Sequence, residues 1–481
     1  MDVQRYEVDL ALDPDALTVA GTATLYVLHP DTLARLALRL NGPEVSAVRV
    51  NGMPVRVEQD GARLSVPLSR SEASTIAVDY AGTPATGLFA GEAEGQRVVW
   101  TDGWPLRTAG WLPGVHHPSD AARLTLTVRV LPPYEVAASG TLETEAVADN
   151  GTVAYRFHLD RDAPVYTFAF AAADFSTLAQ TGPRGLPVRH ALLDASEAGS
   201  LRRTPEILAV FESLLGPYPY ASYGTVAVPH EYAGMENAAR PFLRADLYGL
   251  RRDTGEDILE EVNVHEAAHQ WFGNRVRPAD WSELWLAEGS TSYLTALFYE
   301  RADGRDAFRR QLVRSAQLPD ADARRRLRPD RVRAADEMLG ATVYQKGAAV
   351  FHLLRLALGD AAFFRALREV YAEYDGRTLT TEAFQATLEQ ASGQDLDRLF
   401  QTWVYEEGRV TLRLDHDERA GRLTWRVEGD EGTLEGLAVE LLVNDRAGPR
   451  YVPLPDGGID VSGDGRPAVA PVGVPMELRW E

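Results

Sequence analysis

The chain has no cysteine, which excludes a disulfide framework and leaves the redox compartment open. Lysine is nearly absent as well: Lys346 stands alone, and every other basic residue is arginine. This skew fits GC-rich coding or a solvent-face preference, and Lys346 itself reads as an ion-pair or helix-cap residue. Positive charge is short overall, with a formal net charge of -21. A phosphate backbone needs a basic surface, so a nucleic-acid partner is not expected. No stretch approaches the roughly 18 apolar residues of a membrane helix, so no membrane partner is expected either. The start, Met-Asp-Val-Gln-Arg, lacks the apolar core of a secretory signal. A cytoplasmic location is the expectation, unless a leader has been removed, and the oligomeric state is left open.

At 481 residues, with 45% hydrophobic and 25% charged side chains, the chain exceeds one ordinary core and divides into several domains. Residues 1–187 read as an all-β domain of saddle or sandwich type. Tyr6, Val8 and Leu10 alternate with polar neighbours, as do Leu124, Leu126, Val128 and Val130. Asn51-Gly52 between Val50 and Val55 marks a hairpin. Trp100 to Asp120 is a long loop rich in Trp, Pro, Gly and His. Within it His116 and His117 are adjacent, and they read as turn residues or cleft lining.

Residues 188–407 read as a mainly α domain. Helical spacing runs from Ser196 to Leu215, Asp257 to Phe272, Asp280 to Phe298, Arg301 to Arg333 with a break near Pro319, and Thr342 to Leu358. A short strand is expected over Tyr223 to Val228. Residues 408–481 return to strand patterns, at Leu412 and Leu414, Leu423 to Val427 and Leu437 to Val443, and form a small β sandwich.

The chemistry-bearing stretch is His265-Glu266-Ala267-Ala268-His269. Histidines four apart stand on one side of a helix, one turn above the other, which suits two nitrogen ligands on one zinc ion. Glu266, beside the first, can hold a water at the metal. Catalytic zinc takes a third protein ligand and keeps one position open. Glu288, on the following helical run, is the candidate, giving one Zn2+ per chain.

Several of these pieces together resemble a known family, the zinc aminopeptidases that include aminopeptidase N and the leukotriene hydrolases (gluzincins, peptidase family M1). Eighteen residues separate His269 from Glu288. Ala233-Gly234-Met235-Glu236-Asn237 resembles the family's Gly-x-Met-Glu-Asn strand. Tyr344-Gln345-Lys346-Gly347-Ala348 resembles its Tyr-x-Lys-Gly-Ala helix start. The resemblance covers Tyr6 to Tyr405 and fits the later β domain. It implies a β saddle, a thermolysin-like catalytic domain and a small β sandwich, in a short form without the large C-terminal helical domain.

The resemblance implies hydrolysis of the N-terminal bond of peptides with a free N-terminus. Glu266 would be the general base, Glu236 the anchor of the α-ammonium and Tyr344 the hydroxyl donor to the oxyanion. The backbone of Ala233 and Gly234 would meet the substrate chain, while Met235 packs beside them. Asn274 reads either as a support of the site from behind or as an ordinary structural residue. Where relatives carry Gln or Glu to help bind the amine, the position falls near Trp104, with Asp102 as the substitute. Trp104 and Tyr232 could line the first side-chain pocket. Ala287 and Ser290 also depart from the family pattern. A zinc endopeptidase with the same ligands, or a non-catalytic metal-bound peptide-binding protein, are the alternatives.

Overall fold

The computed structural model describes residues 1–253, 255–332, 338–407, 410–428, 437, 439–454, 458–462 and 466–481. The chain divides into two compact units: residues 1–212 with 217–277, and residues 213–216 with 278–481. The fold class is the expected one: β-rich at the N-terminus, helical in the centre and a small β sandwich at the C-terminus.

The first unit opens with an eight-stranded sheet whose centre pairs Asp2–Asp13 with Ala121–Val130 in parallel and with Thr18–Leu28 antiparallel. Alternation does the work there: Tyr6, Val8, Leu10 and Leu12 are buried while their neighbours face outward. A four-stranded sheet carries Gln96–Thr101 between Leu88–Ala93 and Phe170–Ala173. The third sheet orders Ser176–Thr181, Pro187–Leu192, Val226–Val228, Phe242–Arg244 and Gly234–Met235. Val98, Trp100, Ala171, Val226, Val228 and Phe242 share one buried cluster that joins these two sheets. Gly234–Met235 is the edge strand, antiparallel to Phe242–Arg244. The strand expected from Tyr223 is shorter and begins at Val226, although Tyr223 still bridges Val188.

The helix expected over Ser196 to Leu215 is broken. A 3-10 segment, Ala195–Leu201, opens with a capping box on Asp194, and α1 (Thr204–Leu215) starts afresh. Pro205 explains the restart, because it lacks an N–H and suits only the first turn of a helix. The Thr204 hydroxyl donates to the Leu201 carbonyl at 2.8 Å and closes the join. Next comes α2 (Ile258–Ala268), whose first turn is capped by the Asp257 carboxylate accepting from the Glu260 N–H at 3.1 Å. It ends at Ala268, short of the expected Phe272, with His269 as its C-cap residue.

In the second unit a 3-10 turn, Trp281–Glu283, leads into α3 (Leu284–Asp303). The charged stretch expected to be helical to Arg333 is two helices, α4 (Arg305–Ser315) and α5 (Asp320–Arg324); Arg325 is already extended, and residue 333 lies outside the described residues. The stretch from Thr342 is a π turn, Thr342–Lys346, followed by α6 (Gly347–Leu358). Helices α3 and α6 touch backbone to backbone: a Cβ added to Gly289 would stand 2.8 Å from the Gly347 Cα. The C-terminal sandwich packs a four-stranded sheet centred on Arg422–Glu428 and Val410–Asp417 with a three-stranded sheet centred on Glu440–Asp445. Leu412, Leu414, Leu423, Leu441 and Val443 fill its interior. Residue 438, inside the strand expected over Leu437 to Val443, and residue 408, at the expected domain boundary, lie outside the described residues.

Candidate metal centre

The expected ligand pair occupies the last turn of α2. His269 Nδ1 lies 3.0 Å from the Phe272 carbonyl oxygen, so that nitrogen carries the proton and donates. The lone pair is then on Nε2, which lies 3.0 Å from His265 Nε2. Two ring nitrogens facing each other at that distance suit a shared cation. The turn after α2 is wrapped tightly on the ligand: Gly273 has φ 121°, and a Cβ there would stand 2.8 Å from His269 Nδ1. His269 is 2% exposed and His265 is half-buried.

Glu288, on α3, completes the set: His265, His269 and Glu288 each offer a ligand atom, all within 4.8 Å of one another. Two imidazoles and a carboxylate are the donor chemistry of a catalytic zinc site with an open position, so the residues present fit the metal. Glu288 and Glu266 are both buried.

Glu266 is held by backbone. A Cβ added to Gly234 would stand 2.3 Å from Glu266 Oε1, so the edge strand runs directly against the carboxylate. A second tie joins that strand to α2. The Gln270 amide donates to the Glu266 carbonyl at 3.1 Å, and its oxygen accepts from Ala239 N at 2.8 Å and from Asn274 Nδ2 at 3.2 Å. Asn274 Nδ2 also lies 2.8 Å from the Glu236 carbonyl, to which it donates. Asn274, for which a supporting and an ordinary structural role were both open, holds the main chain of Glu236. Gln270 was missed from sequence. The available signal was an amide four residues after Glu266, on the same helical face. Met235 and Glu236 are buried, Gly234 is half-buried and Ala233 is exposed.

Tyr344 is half-buried in the π turn, three positions before the Gly347 that meets Gly289. Lys346, in the same turn, is buried; its ammonium donates to the Arg325 carbonyl at 2.7 Å, at the C-terminus of α5. That is the expected helix cap, and burial pushes its pKa down to about 8.

Asp102 and Trp104 are buried, and the Asp102 carboxylate is in use. It accepts from Trp104 N at 3.0 Å and from Arg107 Nη1 at 2.5 Å, while Trp104 meets Tyr166 edge to face. The same Arg107 nitrogen donates to Glu231 at 2.8 Å, three residues before Gly234. Burial opposes the Arg107 charge, but Glu231 and Asp102 outweigh it and hold its pKa above the ordinary value. Arg107 in turn holds Glu231 below the usual carboxylate range. This bridge was not legible from sequence, since its partners lie 124 residues apart. His116 is half-buried, its pKa lowered to about 4 by desolvation, whereas His117 is exposed and bonds Ser119 at 2.7 Å. The pair divides between the inside and the outside of the loop.

Residues 200–403 match the Peptidase family M1 domain. Aminopeptidase N of Escherichia coli (strain K12) is 27% identical over 506 residues, covering 96% of this chain and 56% of that protein. The leukotriene A-4 hydrolase homolog of Botryotinia fuckeliana is 24% identical over 445 residues, covering 83% of this chain and 68% of the relative. Among solved structures, the M1 zinc metallopeptidase from Deinococcus radiodurans is 29% identical with a TM-score of 0.74, covering 85% of this chain and 93% of that one. The Legionella pneumophila aminopeptidase A, at 19% identity and a TM-score of 0.79, shares the fold. The chain spans about half the length of most of the curated relatives it matches.

Proposed function

We propose, on the premise of an M1-family zinc-peptidase fold and homology with a His-Glu-x-x-His metal cluster, that the chain is a zinc aminopeptidase. It would release the N-terminal residue of peptides, with one Zn2+ per chain on His265, His269 and Glu288. Bound there, the metal would supply Lewis-acid polarisation of the scissile carbonyl and acidify water. Glu266 takes the proton of the attacking water and passes it to the leaving amine. Glu236 pairs with the substrate α-ammonium, and Asn274 fixes the main chain that carries it. The Tyr344 hydroxyl donates to the developing oxyanion. The edge strand at Ala233, Gly234 and Met235 offers its backbone to the substrate chain. Asp102, acting through Arg107, and Trp104 shape the first side-chain pocket. We further propose domain boundaries at 187/188 and 407/408.

The observation that carries this reading is the tie between Glu236 and Glu266 through Asn274 and Gln270. It ties the main chain carrying Glu236, whose carboxylate suits a free amine, to the main chain carrying the base, and so supports the reading. The test is a panel of aminoacyl-p-nitroanilides and the same substrates N-acetylated, with chelator controls. Turnover is expected only with a free amine, and Glu266→Gln should lose at least about a hundredfold while keeping zinc. Cleavage of the acetylated substrates at full rate would make the protein an endopeptidase. Zinc binding without turnover of any substrate would make it a binding protein.

A further inference from the structure

The edge strand that bears on Glu266 is short. Gly234–Met235 joins Phe242–Arg244 through two residue pairs, and Arg244 N donates to the Ala233 carbonyl at 3.0 Å just before them. So short a ladder holds an edge strand weakly, yet the Gly234 main chain packs on both the head and the Cγ of the Glu266 side chain. Its place has to be fixed from both ends. Downstream, Asn274 donates to the Glu236 carbonyl, two residues past Gly234. Upstream, three residues before Gly234, the fastening is the Glu231 carboxylate on Arg107 at 2.8 Å.

Arg107 is suited to be the fixed end of that bridge. It opens a 3-10 turn, Arg107–Gly110, and its N–H donates to the Gly103 carbonyl at 3.1 Å. The turn is tightly seated, since a Cβ added to Gly87 would stand 1.9 Å from the Arg107 carbonyl oxygen. Its guanidinium rests on the Asp102 carboxylate, a side chain 2% exposed that Trp104 N also holds. The Glu231 side chain, by contrast, is 61% exposed. The buried carboxylate therefore sets the guanidinium, and the guanidinium sets Glu231. His230 stiffens the same stretch: its Nδ1 accepts from Tyr232 N at 3.0 Å, which leaves the proton on Nε2, 3.8 Å from Asp102. All these residues lie in the first unit, together with Glu266. Three residues of chain reach roughly 10 Å at most, so a shift at Glu231 has little slack before it arrives at Gly234.

We propose that Arg107 is a positioning residue for the general base: by gripping Glu231 it keeps the upstream end of the edge strand seated against Glu266. The role of Glu266 here rests on the aminopeptidase reading, and this seating is distinct from any shaping of the side-chain pocket.

The experiment compares wild type, Glu231→Gln and Arg107→Lys as full chains. Glu231→Gln keeps the length of a mostly exposed side chain and removes its charge, so Tm should hardly move. Hydrogen–deuterium exchange is measured first, on the zinc-free protein. Exchange over residues 231–235 should quicken about threefold in Glu231→Gln, the scale of one exposed ion pair, with the rest of the first unit unchanged. The zinc-loaded proteins are then assayed on alanyl-, leucyl- and phenylalanyl-p-nitroanilide. In Glu231→Gln kcat should fall about threefold to fivefold, by the same factor on all three, with KM within about twofold of wild type. Arg107→Lys, which keeps the charge without the planar fork, should fall between the two in both readouts. Raising salt should bring wild-type kcat toward that of Glu231→Gln.

A loss confined to one first residue, or to KM, would place the bridge in the pocket and overturn the proposal. Unchanged exchange over 231–235 would overturn it too, as would faster exchange throughout the first unit with a lower Tm, which is the mark of a merely structural bridge. A wild type inert to all three anilides would overturn the aminopeptidase reading, and the exchange of the zinc-free chain would still decide whether Arg107 holds the strand.

Discussion

Gly234→Ala tests whether the edge strand aims the base. Alanine is permitted by the backbone there, because Gly234 is not among the glycines of positive φ. The new methyl would stand 2.3 Å from Oε1, 2.7 Å from Cδ and 2.8 Å from Cγ of Glu266. Ordinary carbon contacts begin near ~3.5 Å, so the carboxyl group has to retreat by roughly 1 Å or the strand has to lift. Contact at Cγ as well as at the head prevents relief by a turn of the terminal carboxylate alone. A displacement of about 1 Å in a catalytic group costs on the order of a hundredfold in rate, or about 2.7 kcal/mol of barrier. Overpacking should lower stability by about 1–3 kcal/mol. The assay is kcat and KM on leucyl-p-nitroanilide, with zinc content and thermal unfolding measured on the same preparation. Zinc should stay, because neither histidine is touched. In a Glu266→Gln background the further loss from Gly234→Ala should nearly vanish, since both changes act through one carboxylate. Activity within about threefold of wild type, in a zinc-replete folded protein, would refute the argument.

Three further substitutions probe the supports. Asn274→Ala leaves the Glu236 carbonyl buried without its 2.8 Å donor, so stability should fall by about 1–3 kcal/mol and KM should rise more than kcat falls. An unchanged KM would deny Asn274 a part in placing Glu236. Gly289→Ala forces apart two helix backbones now in contact, and a loss of about 1–3 kcal/mol is expected, read as a drop of several degrees in Tm. Lys346→Met removes a buried ammonium whose folded pKa is about 8, against an ordinary 10.5. Below pH 8 both folded and unfolded wild type hold the proton and the cost of burial is full. Between pH 8 and 10.5 the unfolded chain alone keeps it, so wild-type stability should rise relative to Lys346→Met by up to about 3 kcal/mol. A flat difference in denaturant midpoints across that window would contradict the assignment.

The parts legible in the sequence were those governed by short-range rules. Alternation at Tyr6, Val8 and Leu10 gave a strand buried on one face, and His265 with His269 gave a ligand pair one turn apart. Boundaries were less legible where a local exception overruled the periodicity. Pro205 restarts a helix that the spacing of Leu201, Ile207 and Leu208 draws as continuous. The apolar pattern from Val343 to Leu358 does not reveal that its first five residues wind as a π turn. Contacts between distant segments were out of reach altogether. Arg107 joins Asp102 to Glu231, and no local pattern announces a bridge between a loop and a strand end so far apart.

The acidic residues show why the type of a residue was insufficient and its partners were decisive. Glu283 and Glu288 stand five positions apart at the start of one helical run, and both are buried. Burying a carboxylate is costly unless it is paired, so each must have a reason to be there. For Glu283 the reason is structural. It accepts from Arg328 Nε at 2.9 Å, and from the backbone and hydroxyl of Thr381, whose hydroxyl also takes the Trp285 indole N–H at 2.9 Å. Glu231 is likewise occupied by Arg107. Glu288 has its oxygen gathered with two imidazole nitrogens, an arrangement in which a cation offsets the cost of burial. Replacing Glu283 should therefore cost fold stability, whereas replacing Glu288 should first cost metal; zinc retention against Tm in Glu283→Gln and Glu288→Gln separates the two roles. Equal zinc loss in both variants would mean that the Arg328–Thr381 arrangement supports the metal centre as well.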